Sequence, residues 1–315
     1  MRFLDDSTVQ PDEIDTLGHM NVRFYLKRVM RGHEKLLASL GFDLAARDEC
    51  ETTLRRIDTY IRYHREQMIG AALQVRGGPL AADETSLRMY YEVLGPAGEP
   101  AATYIIVFAH ERRSDRARAP LPGSLINGLQ SELVELPPHG LPRSLSLEAP
   151  RLDLTYADVD TRVQQIEGDD SMLGSQMERE IGPEDCDSWG FLQDEDDLMF
   201  GARLRAAKRK PGEQFGPPIH TSEHGHRFAW AWLESRAIEA ARPRAGDVLR
   251  SIPADIGLQR KTRHTRRWIF NVGTGGIVGV EDYIGIALDI DARRSIEIPP
   301  RVREALETRF VPEFA

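Results

Sequence analysis

A chain of 315 residues is long enough for two domains of ordinary size. Hydrophobic residues at 41% and charged residues at 29% supply apolar surface for real cores, which excludes a disordered chain. The net charge of −9, with basic residues scattered among acidic ones, excludes the basic footprint of a nucleic-acid binder.

Residues 1–6 show no basic region leading into an apolar run, and no window approaches the roughly 18 uninterrupted apolar residues of a membrane span. The expectation is a soluble, cytoplasmic protein without a membrane partner. Asp15, Gly18, His19 and Asn21 then form an Asp-x-x-Gly-His-x-Asn pattern, with Tyr25 one turn on. It leads into helical periodicity, in which Val22, Leu26, Val29, His33, Leu36, Leu37 and Leu40 recur at spacings of three and four. Gly41 is placed to end that helix. Runs enriched in β-branched and aromatic residues predict strands at 54–64, 71–77, 86–94 and 101–110. Residues 114–160 are rich in Pro, Ser and Leu without a firm period, and read as a long crossover linker.

The next segment repeats the first. Residues 11–25 and 183–197 align at a constant offset of 172, which sets Pro11 on Pro183, Asp15 on Asp187 and Gly18 on Gly190. His19 meets Phe191, and Asn21 meets Gln193. A second helical pattern follows at Leu198, Met199, Ala202 and Ala206, closed by the basic and Pro-Gly segment 208–212. Strands are predicted at 228–238, 247–254, 262–272 and 277–290, with residues 273–276 as a Gly-rich hairpin turn. One long helix and then an antiparallel meander, occurring twice, is an α+β arrangement with each helix covering a sheet. The predicted modules are residues 1–150, with the linker at about 114–160 trailing the first, and residues 151–315.

Cys50 and Cys186 are too few and too far apart for a disulfide framework or a four-cysteine zinc site, and read as structural thiols. His220, His224 and His226 with Glu223 lack the helical spacing of hydrolytic zinc sites, so a surface loop is expected and no metal.

The pattern from Asp15 to Asn21, together with Tyr63, Glu66 and Gly70 and the closing 101–105 strand before Arg112 and Arg113, resembles the hotdog-fold thioesterases of the 4-hydroxybenzoyl-CoA thioesterase type. The duplication is similar to double-hotdog acyl-carrier thioesterases. The resemblance implies a double hotdog that hydrolyses acyl-CoA or acyl carrier protein thioesters. It implies no cofactor beyond coenzyme A as part of substrate and product. That family works as a dimer of hotdogs, so the chain would be a pseudo-dimer, and two such chains could associate.

In that chemistry Asp15 would attack the thioester carbonyl or deprotonate a water. Backbone N–H groups at the helix start, near Gly18, His19 and Met20, would hold the oxyanion. His19 and Asn21 would orient the reacting groups. The plainer alternative makes Asp15 a helix cap, with His19 and Asn21 satisfying local backbone. Met20, Tyr25, Tyr63, Glu66 and Phe191 are candidate substrate contacts. Glu66 is alternatively a strand-end carboxylate paired with Arg62 or Arg65. Phe191, Trp230 and Trp232 would form either an apolar wall or core. Arg55, Arg56, Arg260, Arg263, Arg266 and Arg267 would meet coenzyme A phosphates or solvate strand faces. The loss of the imidazole at Phe191 and the lengthened amide at Gln193 leave one active site per chain. Competing functions are an enoyl-CoA hydratase or dehydratase on the same fold, and a non-catalytic acyl-thioester binding protein.

Overall fold

The computed structural model describes residues 1–42, 51–164, 176–193, 217–308 and 310–314. The chain divides into two compact units, one holding Met1–Pro142 and Glu184–Met199, the other Arg143–Pro183 and Phe200–Ala315. The first boundary falls at Pro142, whereas the expected cut is at residue 150. A short piece of the expected second module belongs with the first unit.

The first unit runs β1 (Arg2–Thr8), α1 (Arg23–Ser39), β2 (Thr52–Tyr63), β3 (Ala72–Ala82), β4 (Ser86–Leu94), β5 (Pro100–Arg112) and α2 (Gly123–Gln130). Its strands form an antiparallel sheet in the order β1-β3-β4-β5-β2. The periodic stripe of α1 is buried at Leu26, Val29, Met30, His33, Leu36 and Leu37, which pack with Leu73, Val75, Met89, Val93, Ile106 and Phe108 in one core. Full burial of each such apolar side chain contributes roughly 1.5–3 kcal/mol. Inside that core His33 is stacked 4.1 Å from Phe108 with Nδ1 2.5 Å from the Tyr91 hydroxyl. The helix stops where the sequence places its stop. Gly41 adopts φ +78°, and the N–H groups of Gly41 and Phe42 donate to Ala38 and Leu37 carbonyls at 3.0 Å each, a Schellman closure.

The second unit holds α3 (Tyr156–Gln164), β6 (Met177–Glu180), β7 (His220–Thr221), β8 (Arg227–Glu239), β9 (Val248–Leu258), β10 (Thr262–Asn271), β11 (Ile277–Asp289), β12 (Arg294–Ser295) and α4 (Pro300–Glu307). Its order is β6-β9-β10-β11-β8, with β7 on β8 and β12 on β11. Strand for strand this is the order of the first unit. Even the irregularities repeat: the β3/β4 ladder slips between Pro79 and Ala81, and the β9/β10 ladder slips between His264 and Thr265, opposite Gly257 and Asp255. The slip between Arg56 and Asp58 in β2 recurs in β8 between Trp232 and Glu234. Bulges bend a strand at a fixed place, so shared bulges are stronger evidence of duplication than shared strand order.

All eight strands expected from the sequence are present, and residues 273–276 make the turn between β10 and β11, with Asn271 N–H donating to the Gly276 carbonyl at 3.0 Å. The linker is less bare than expected. In it α2 buries Leu125 and Leu129 in the first core, and α3 buries Val159 and Val163 beside Ile252, Trp268 and Phe270 in the second. Each helix shows only a single buried i, i+4 pair, too little to establish a period. The expected helix around Leu198–Ala206 and Cys50 lie outside the described residues. Among the described residues no helix is long and apolar enough to cross a membrane.

Candidate active site

The stretch from Ile14 to Asn21 folds as a closed turn ahead of the helix, bridged between Ile14 and Met20. Asp15 N–H donates to the His19 carbonyl at 2.9 Å, and Gly18 N–H donates to the Asp15 carbonyl at 3.0 Å. Gly18 has φ +79°, a conformation that disfavours any side chain, although a Cβ there would meet nothing within 4 Å. Gly18 is therefore required by backbone geometry and not by crowding. Two outside contacts fix the turn: Met20 N–H donates to the Gln67 carbonyl and Asn21 N–H to the Glu13 carbonyl, each at 2.8 Å. Glu13 is in turn gripped by the buried Arg28 of α1, Nη2 to Oε2 at 2.6 Å.

Asp15 stands well ahead of the helix. Helix α1 begins at Arg23, eight residues later, and its first N–H is covered by Asn21, whose Oδ1 accepts from Arg23 N at 3.2 Å. Asp15 is not the cap. Its carboxylate, in a residue only 5% exposed, accepts from Leu17 N–H at 2.8 Å through Oδ1 and from Asn21 Nδ2 at 3.3 Å through Oδ2. His19 Nδ1 lies 3.8 Å from Asp15 Oδ1 and 3.1 Å from its neighbour's carbonyl at Met20, while Nε2 faces Glu66 Oε1 at 3.5 Å. Burial pushes the Asp15 carboxyl above the ordinary carboxylate range, opposed by His19, by the Leu17 N–H, by Asn21 and by the His19 N–H. An acid raised by burial and held by a few aimed donors is the environment expected of a working carboxylate.

The expected main-chain oxyanion donors are corrected by the same contacts. The Gly18 and Met20 N–H groups are donated to carbonyls, and the His19 N–H bears on the Asp15 carboxylate. These amides precede the helix and hold the turn closed.

Tyr25 is buried and edge-on to Tyr63 at 6.0 Å, with its hydroxyl donating to the Arg65 carbonyl at 3.2 Å. It anchors the segment that carries Glu66. Met20 is fully buried in the core, which removes its side chain from the expected substrate contacts. Half-exposed Glu66 remains at the surface of the cluster, beside a cleft of about 500 Å³ lined by Arg65, Glu66, Gln67, Met68, Ala71, Pro96 and Glu99.

The second copy keeps the backbone and changes the partners. Asp187 N–H donates to the Phe191 carbonyl at 2.7 Å, Gly190 N–H to the Asp187 carbonyl at 2.9 Å, and Gly190 has φ +78°. Here, however, the carboxylate is neutralised by the buried Arg116, whose guanidinium also lies 4.4 Å from the Phe191 ring centroid. Gln193 Nε2 reaches the Cys186 carbonyl at 2.8 Å and not the acid. Phe191, expected as a possible substrate wall, is 4% exposed with its face under Arg116, and is a packing residue. Trp232 stacks on Tyr283 at 4.5 Å. Arg55 forms a buried two-pronged pair with Glu111 at 2.9 and 3.0 Å, and Arg266 pairs with Asp282 at 2.8 Å, so neither is held for phosphates. Sequence reasoning missed Gln67, Arg28 and Arg116. Their roles are contacts between distant segments, which no local spacing reports.

Residues 9–130 match the family model described as the thioesterase-like superfamily. A betainyl-CoA thioesterase of Pseudomonas aeruginosa is 26% identical over 122 residues, which are 38% of this chain and 77% of that protein. Solved structures match over more of the chain. The 12:0-ACP thioesterase from Umbellularia californica gives a TM-score of 0.61 at 10% identity, covering 90% of this chain and 93% of its own. An acyl-ACP thioesterase from Bacteroides thetaiotaomicron gives 0.58 at 12% identity, covering 89% and 96%. At such identities the likeness establishes the fold, an α+β hotdog arrangement. The segment matched to the thioesterase-like superfamily model, residues 9–130, is the one that carries Asp15, His19, Asn21 and Glu66.

Proposed function

We propose that the protein hydrolyses an acyl thioester at the Asp15 turn, releasing a free acid and a thiol. The observation that carries this reading is the buried Asp15 carboxylate, raised by desolvation yet held by the Leu17 N–H, the Asn21 amide and the nearby His19 imidazole. Two routes fit that geometry. In one, Asp15 attacks the carbonyl carbon, expels the thiolate and forms a mixed anhydride that water then opens. In the other, it takes a proton from water as the water attacks, and the tetrahedral intermediate expels the thiolate. With the turn's main-chain donors committed, the developing oxyanion falls to side-chain donors, and His19 is the nearest that can also pass a proton to the thiolate. Asn21 and Glu66 orient the acid and the imidazole.

Similarity to a betainyl-CoA thioesterase favours coenzyme A as the carrier. The cleft beside Glu66 gives an acyl thioester a route from solvent to the cluster. The decisive experiment follows thiol release from a panel of acyl-CoA and acyl carrier protein thioesters. Wild type releases thiol from at least one and Asp15→Asn from none. Silence with every thioester overturns the hydrolase reading, and hydration of an enoyl-CoA would put a hydratase in its place. Single turnover in ¹⁸O-water tests the nucleophilic route, because label appears on Asp15 only if a mixed anhydride forms and water opens it at the aspartyl carbonyl.

A further inference from the structure

The matched registers of the two sheets reveal a polar corner in the second unit where the first is apolar. In the first unit Leu87 of β4 pairs with Phe108 of β5, and both are buried in the core beneath α1. The same register in the second unit pairs Arg263 of β10 with Gly285 of β11. A charged side chain and a glycine thus stand where the duplicate has two large apolar groups. The space is taken by Trp230 of β8: a Cβ at Gly285 would lie 3.5 Å from the Trp230 ring and 3.8 Å from the Arg263 chain. The Arg263 guanidinium lies over that ring, 4.3 Å from its centroid, with Nη1 3.8 Å from Asp255 Oδ2.

Trp230 is 5% exposed, and its Nε1–H has no hydrogen-bond partner among the described residues. A buried indole normally finds an acceptor, and leaving such a donor unsatisfied costs about 1–3 kcal/mol. His220 on β7 is set against Phe228, ring centroids 5.3 Å apart, and Phe228 meets Trp230 edge-on at 6.2 Å. Burial and the Arg263 guanidinium hold His220 below the ordinary histidine range, so it is neutral at neutral pH. The corner therefore combines one guanidinium, one carboxylate at its edge, a neutral imidazole and an orphaned N–H donor.

We infer that this corner binds a small monocarboxylate, one oxygen taking the Trp230 Nε1–H and the carboxylate lying against the Arg263 guanidinium. A guanidinium fork matches a carboxylate in shape as well as charge. A phosphate dianion is disfavoured, because Asp255 offsets the one cation and His220 adds no second charge. The site stands apart from the Asp15 turn and does not rest on the hydrolase reading.

Calorimetric titration of the full chain with sodium acetate, butyrate and benzoate tests it, with butyramide and inorganic phosphate at matched ionic strength as controls. The expected result is saturable binding of at least one carboxylate, at least about tenfold tighter than butyramide and phosphate. Trp230→Phe keeps a ring under Arg263 but removes the N–H, and is expected to weaken binding by about tenfold. Arg263→Gln should weaken it further, while Asp15→Asn binds as wild type. No saturable binding of any carboxylate, binding of butyramide or phosphate as tight as butyrate, or full affinity in Trp230→Phe overturns the proposal. The comparison of carboxylate with amide uses wild-type protein alone and does not depend on any variant folding.

Discussion

The turns at Asp15 and Asp187 share a backbone almost bond for bond and differ in what faces the acid. In the first, the neighbours are a neutral amide and an imidazole, and among the described residues no guanidinium pairs with the carboxylate. In the second, Arg116 from beyond β5 pairs with the carboxylate and lies on the phenyl ring that replaces the imidazole. The same turn therefore holds a carboxyl raised by burial in one copy and a structural ion pair in the other. Desolvation without a counter-cation keeps an acid reactive, whereas a buried guanidinium ties up its lone pairs.

The sharpest way to break this comparison is to neutralise each acid in turn. Asp15→Asn is expected to lower the rate of thioester hydrolysis by about a hundredfold to ten-thousandfold, and Asp187→Asn to leave it within about twofold. The reverse pattern would move the active site to the second turn. Next in size is the ion pair. Arg116→Ala leaves a part-buried carboxylate without its partner and is expected to cost about 1–3 kcal/mol in urea unfolding. Adding Asp187→Asn should return part of that loss, since the stranded charge is gone. An uncoupled double mutant would show that Arg116 acts through its stacking on Phe191 alone.

Copying the second turn into the first is a gentler probe. His19→Phe, which installs the residue found at position 191, is expected to slow turnover by about tenfold to a hundredfold with little loss of stability. The smallest static effect belongs to Tyr25→Phe, which removes the hydroxyl donated to the Arg65 carbonyl. A loss of about 1 kcal/mol in stability is expected, with kcat falling a few-fold as the segment carrying Glu66 loosens. A Tyr25→Phe enzyme with unchanged kcat would remove the positioning role.

The contrast also explains what could be read from the chain. Each long strand carries its period over seven or more residues, and the Schellman stop at Gly41 depends on one residue type in one place, so both were legible. The Asp15 and Asp187 turns were legible because all their internal bonds join residues within a few positions. Strands β1 and β6 escaped because they are short, charged edge strands with few buried side chains, Leu4 and Asp5 in β1 and Met177 in β6. The oxyanion expectation failed because it took the turn for the start of the helix, when a closed turn from Ile14 to Asn21 precedes the helix and uses the amides itself. Arg116 escaped for a different reason. It is 71 residues from Asp187, and among the arginines following β5 nothing in the sequence marks it as the one that reaches the acid.

One further effect is confined to a pH difference. The Asp15 carboxyl is raised by burial, so over the interval between the ordinary carboxylate range and its folded value the native chain holds a proton that the unfolded chain has released. Bound protons then favour the native state, and stability falls as pH rises through that interval, with the loss complete above the folded value. Asparagine does not titrate. The stability of Asp15→Asn relative to wild type should therefore increase from acid pH upward and level off once Asp15 is ionised. Hydrolysis by wild type should fall as pH drops through the same interval, because both routes need the carboxylate. Urea unfolding of the two proteins across the acid range, set beside the acid limb of kcat/KM, measures both. A stability gap that stays flat with pH would mean that Asp15 titrates as an ordinary surface acid, and the turn would lose the property that separates it from its duplicate.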